Sequence, residues 1–101
     1  MNDPATLPAR VEQRLHWTRA CLADETVLLE RASVDAGMRS YWRARGRAGT
    51  HVVMDSPPGL EDVRPWLQMR SLLAGHGLRV PRVLAEATDA GFLLLEDLGG
   101  P

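Results

Sequence analysis

Two segments of this chain have the residue types and spacing for nucleotide or phosphate chemistry. The first is Ser33-Val34-Asp35-Ala36-Gly37-Met38-Arg39, a small-residue turn between two runs of strand-like composition. A strand, a tight turn and a returning strand can lay successive backbone N–H groups over an anion. With a single glycine, the same segment equally fits an ordinary β-turn. The second is Phe92-Leu93-Leu94-Leu95-Glu96-Asp97-Leu98-Gly99, an apolar run that leads into a polar connector. Such a connector can offer N–H and C=O groups to a planar base. It equally fits a core strand with a solvated Glu96-Asp97 end. The cations available to either segment are all arginine, because the 12 basic residues include no lysine. That composition removes Schiff-base chemistry, a P-loop lysine and a lysine general base. His16, His51 and His76 are scattered without metal-ligand spacing. Trp17, Trp42 and Trp66 read as packing residues.

The elements that must position these segments follow from periodicity. A helix is expected over residues 7–21, with Pro8 in its first turn and Val11, Leu15 and Leu22 as its apolar stripe. Arg10, Glu12, Gln13, Arg14 and Arg19 then form its polar side, and Trp17 lies off the stripe, placed to cover a neighbouring element. Strands are expected over 26–33, 41–45 and 51–55, joined by short turns, which makes an antiparallel meander the natural topology. Pro57-Pro58-Gly59 stops the third strand. A second helix is expected over 62–76, with Asp62 as N-cap, Pro65 in the first turn and Gly77 just past the end. Its stripe is Trp66, Met69 and Leu73, widened by Leu72. A strand over 80–85 follows, then a turn at Asp89-Ala90-Gly91. The last strand, 92–95, is apolar throughout, which predicts burial on both faces.

A length of 101 residues with 13 acidic residues against 12 basic ones indicates one domain and gives no basic patch for nucleic acid. No apolar run approaches the length of a membrane span. The first residues lack the basic and apolar regions of a secretory signal. Cys21 is alone, so a cytoplasmic setting is expected. The chain stops at a glycine-rich segment directly after its most apolar strand, an odd place for a domain to finish.

Several blocks together carry a more specific signal. They are Ala32-Ser33-Val34-Asp35-Ala36 with Arg39-Ser40-Tyr41-Trp42-Arg43, then Val53-Met54-Asp55-Ser56-Pro57-Pro58, then Glu61-Asp62-Val63-Arg64-Pro65. Val80-Pro81-Arg82-Val83-Leu84-Ala85 and Gly91-Phe92-Leu93-Leu94-Leu95-Glu96-Asp97-Leu98-Gly99 complete the set. With these residues the chain resembles the N-terminal lobe of the aminoglycoside phosphotransferase family of small-molecule kinases, over about residues 8–100. Within that family it is most similar to bacterial anomeric sugar kinases of cell-wall recycling.

The resemblance implies an α+β fold, a protein-kinase-like small lobe. That lobe has a five-stranded antiparallel sheet, one N-terminal helix and one helix between strands 3 and 4. It implies a flexible N-terminus over 1–6, the lobe over 7–95 and a hinge over 96–101, with the larger lobe absent. The implied activity of the intact enzyme is transfer of the γ-phosphate of ATP to a sugar hydroxyl, the anomeric one of N-acetylmuramate or N-acetylglucosamine. ATP and a small sugar are the implied partners, with neither nucleic acid nor membrane. The catalytic residues and the Mg²⁺ ligands are expected in the absent lobe, so the chain alone is expected to be inactive.

The implied site residues are Ser33, Asp35, Ala36 and Gly37 of the phosphate-covering loop and Glu96, Asp97 and Leu98 of the hinge. Val52 and Met54 are expected to face the cleft. Met54 stands where the family ordinarily presents a lysine or arginine to the phosphates. Arg39 and Arg43 are then the candidate replacements. The second helix shows Gln68 and Met69 where a glutamate would orient that cation, so Glu61 and Asp62 read as first-turn acids. Apolar surface along Phe92–Leu98 is expected to need the absent lobe as cover, and without it to favour self-association. An aminoglycoside-modifying kinase and a non-catalytic α+β interaction module remain as alternatives.

Overall fold

A computed structural model describes residues 4–34 and 38–99. A 3₁₀ turn, Pro4–Thr6, precedes helix α1, Pro8–Leu22. Strands β1 (Leu28–Val34), β2 (Ser40–Gly46) and β3 (Gly49–Asp55) follow, then helix α2 (Arg64–Gly75), β4 (Val83–Ala87) and β5 (Phe92–Glu96). The five strands form one antiparallel sheet in the order β1-β2-β3-β5-β4. This is the architecture of a kinase-like N-lobe. The final strand therefore lies inside the sheet, between β3 and β4. Phe92, Leu93, Leu94 and Leu95 are all buried, as an unbroken apolar run predicts.

Side chains alternate along each strand, so the sheet has two different faces. On one face Val27, Ala44, Val53 and Leu94 form a core against Trp17 and Leu22 of α1. On the other, Met54, Val63, Leu93 and Leu95 pack with Tyr41, Val52, Val83 and with Trp66 and Leu67 of α2. In β4 a bulge between Val83 and Ala85 shifts the register. It lets Val83 serve the α2 face and Ala85 the α1 face.

The α1 face departs from the pattern reading. Val11 is exposed, while Arg14 and Thr18 are buried. The partner that brings arginine inside is Asp55 at the end of β3, whose side chain is fully buried. Arg14 Nη1 donates to Asp55 Oδ2 at 2.7 Å and to the Ala5 carbonyl at 3.0 Å. Arg10 Nη2 donates to Asp55 Oδ1 at 2.7 Å and to the Ala90 carbonyl at 2.7 Å. The guanidinium carbons of Arg14 and Arg10 sit 3.7 Å and 4.1 Å from the ring centres of Trp42 and Phe92. Trp17 stacks on Phe92 at 5.3 Å, covering a neighbouring element as its position off the stripe suggested. Burial lowers the pKa of Arg14, and Asp55 opposes that shift. Residues 4–6, expected to be loose, instead form the turn that carries Ala5 into this cluster.

Two other boundaries move. The α2 N-cap is Val63, and Asp62 instead accepts the Arg64 N–H at 3.0 Å. β4 starts at Val83, because residues 80–82 serve as an extended approach. At the end of α2 the Gly77 and Leu78 N–H groups bond the Ala74 and Leu73 carbonyls, with Gly77 at φ +79°. Gly91 also has no substitute. Its φ is +81°, and a Cβ there would lie 1.9 Å from the Ser56 carbonyl oxygen.

Candidate functional site

A groove of about 290 Å³ opens where the α2 face of the sheet meets the segment after β5. Its walls come from four parts of the chain. β2 gives Tyr41 and Arg43, which alternate with Trp42 and so share a face. β3 gives Val52, opposite Arg43 in register. β5 gives Leu95, and the following Glu96, Asp97, Leu98 and Gly99 form the rim. Trp66 of α2 and Pro81 close the remaining side. The walls are largely apolar and aromatic while the rim carries polar backbone, the Glu96 and Asp97 carboxylates and Arg43, a combination suited to a planar heterocycle with edge hydrogen bonding.

The rim is held from both sides. Glu96 donates its N–H to the Arg82 carbonyl at 2.9 Å, and its Oε1 accepts the Arg82 N–H at 3.3 Å. Asp97 turns the other way: Oδ1 accepts the Gly99 N–H at 2.9 Å and Oδ2 accepts Arg43 Nε at 3.0 Å. The Asp97 pKa is pulled below the usual carboxylate range, first by the Gly99 amide, then by the Thr50 hydroxyl and Arg43.

Of the sequence-expected site residues, the groove brings together Arg43, Val52, Glu96, Asp97 and Leu98. Ser33 is exposed near the end of β1. Asp35, Ala36 and Gly37 lie outside the described residues. Arg39 sits beyond the far end of β2, with Nε 3.3 Å from Ser56 Oγ and Nη2 3.9 Å from Glu61 Oε2. Glu61 also accepts the Met38 N–H at 3.2 Å, so this acid braces the exit of the loop. Met54 shares a face with Val52 as expected but does not reach the groove. It is fully buried among Val63, Leu93, Leu95 and Trp66. An apolar side chain in that position fills the joint between sheet and helix, and Met54 belongs to the core cluster on this face.

The sequence reading missed Tyr41, Leu95, Trp66 and Pro81 as groove walls. Tyr41 and Arg43 carried a signal, the period-2 alternation across Trp42. Trp66 and Pro81 reach the groove only through the packing of α2, which one chain's pattern does not encode. The apolar surface lies only in part where expected. Phe92–Leu95 are covered within this chain, and the exposed large apolar side chains include Met69 and Leu72 on α2, Leu78 and Leu98.

Comparison with known proteins gives three results. Residues 28–101 match the family model of the phosphotransferase enzyme family. The chain is similar to N-acetylmuramate/N-acetylglucosamine kinases. It is 44% identical to that of Pseudomonas aeruginosa, over 90% of this chain and 30% of that protein. It is 44% identical to that of Pseudomonas putida, over 70% and 21% respectively. It is 38% identical to that of Neisseria meningitidis, over 83% and 25%. The chain thus spans less than a third of the length of these relatives. No solved structure matches.

Proposed function

We propose a function from one premise: the chain belongs to the phosphotransferase enzyme family. It supplies the ATP-binding small lobe of a sugar kinase, and the hinge-rimmed groove takes the adenine. The reaction is transfer of the γ-phosphate to a sugar hydroxyl, the anomeric hydroxyl of N-acetylmuramate or N-acetylglucosamine. The observation that carries this reading is the meeting of Val52, Leu95 and the 97–99 segment around one groove. The relatives to which the chain is similar are named N-acetylmuramate/N-acetylglucosamine kinase.

The groove fits a nucleotide base: apolar side chains on its walls, backbone edge at the rim, and a route along β2 toward Arg39. Binding there removes the base from water and leaves the phosphates toward Arg39. The described residues do not fit Mg²⁺, since no three His, Cys, Asp or Glu side chains converge among them. The metal ligands and the base that accepts the sugar proton then fall to a region matching the more than two-thirds of the relatives' length that this chain does not span. No described helix is long and apolar enough to cross a membrane, and we place the protein in the cytoplasm. Titration of the chain with ATP, followed by Trp66 fluorescence against a Trp66→Phe control, tests the reading. Saturable quenching by ATP, with no turnover of N-acetylmuramate and ATP-Mg²⁺, is expected. Turnover by this chain alone would contradict the proposed division of labour.

A further inference from the structure

We infer that Arg43 and Asp97 form a positioning clasp that fixes the hinge as one wall of the base pocket. Arg43 thereby serves the base side of the nucleotide and not its phosphates. The inference rests on the nucleotide reading and deepens it.

One carboxylate does two jobs. Asp97 Oδ1 accepts the Gly99 N–H at 2.9 Å, which closes a turn over 97–99 and holds Gly99 at φ +81°. Asp97 Oδ2 accepts Arg43 Nε at 3.0 Å, which ties that turn to the middle of β2. The two side chains are 19% and 7% exposed, so water screens the pair less than it would a surface pair. A charge-assisted hydrogen bond of this kind is about twice as strong as a neutral one. The sheet therefore sets the height of the hinge, and the hinge sets the orientation of the Arg43 guanidinium at the mouth of the groove.

Position along the strand separates Arg43 from the phosphates. It lies four residues beyond Arg39, the residue at the loop exit. At ~3.3 Å per residue the two are roughly 13 Å apart along β2. Arg39, braced near Glu61 and Ser56, is the arginine on the phosphate side.

The 101-residue chain is compared with Arg43→Met and Asp97→Asn, both checked for an unchanged far-ultraviolet circular dichroism spectrum. In the first assay, amide hydrogen exchange at Gly99 is measured without ligand. Arg43→Met should accelerate it about tenfold, the size expected for losing a charged hydrogen bond. A turn held only by local contacts would leave it unchanged, and that result overturns the clasp. In the second assay, adenosine and ATP are titrated separately. Both variants should weaken the two ligands by the same factor, about tenfold. Loss confined to ATP would make Arg43 a phosphate ligand and overturn the inference. Wild-type chain that binds neither ligand would remove the nucleotide reading, and the Gly99 exchange arm alone then decides the clasp.

Discussion

The two faces of the sheet solve opposite problems. The α1 face is closed: Asp55 is fully buried and gathers Arg10 and Arg14, aromatic rings cover both guanidinium groups, and the 3₁₀ turn and the 89–91 turn supply carbonyls. The α2 face is open. Helix α2 has no fully buried residue, and Met69 and Leu72 are 54% and 56% exposed. The α1 face buries a charged cluster, whereas helix α2 leaves Met69 and Leu72 exposed. The closed face ties α1, the end of β3 and the 89–91 turn together. The open face holds the groove walled by Tyr41, Arg43, Val52 and Leu95.

The largest effect should come from breaking the closed face at its centre. Asp55→Ala leaves two arginines without their carboxylate, and such a loss costs about 3–5 kcal/mol. Urea denaturation should show it as a collapse of the midpoint. A change under about 1 kcal/mol would mean that water reaches the cluster, and the contrast between the faces would fail. Gly91→Ala comes next, since its Cβ would press on the Ser56 carbonyl at the edge of the same cluster. Strain of this kind costs about 1–3 kcal/mol, and thermal unfolding should register it.

The α1 face also predicts an acid response. Asp24, just beyond α1, accepts the Thr26 hydroxyl and N–H and the Arg47 N–H. The Thr26 hydroxyl first, then the two amides, draw its pKa down to about 2. A carboxyl lowered on folding stabilises above its unfolded pKa, near 3.9, and that stability is lost as pH falls through the folded value. Asp24→Asn should therefore flatten the stability profile between about pH 4 and 2. An unchanged acid slope would deny Asp24 that role. The smallest effect belongs to the open face: Met69→Ser with Leu72→Ser should alter stability by less than about 0.5 kcal/mol. Light scattering should show less self-association. A large destabilisation would mean that α2 is packed like α1.

The sheet, both helices and the doubly buried last strand were legible because period-2 and period-3.6 patterns report backbone directly. The end of β5 was legible because apolar residues give way abruptly to Glu96-Asp97. The buried face of α1 was not. Arg10 and Arg14 lie four apart on one side of the helix, but hydropathy assigns such residues to water, and only the partner Asp55 reverses that. Met54 shares the α2 face with Val52, as alternation predicts, and is fully buried there. Alternation gives orientation, whereas depth depends on how closely α2 approaches. The division between Arg39 and Arg43 needed distances, because both look alike as strand arginines.

Backbone amide shifts during an ATP titration of the 101-residue chain test the functional assignment most directly. The largest shifts should fall on Val52, Leu95 and residues 97–99, with α1 and Asp55 unmoved. Shifts centred on α1, or none anywhere at saturating ATP, would contradict it.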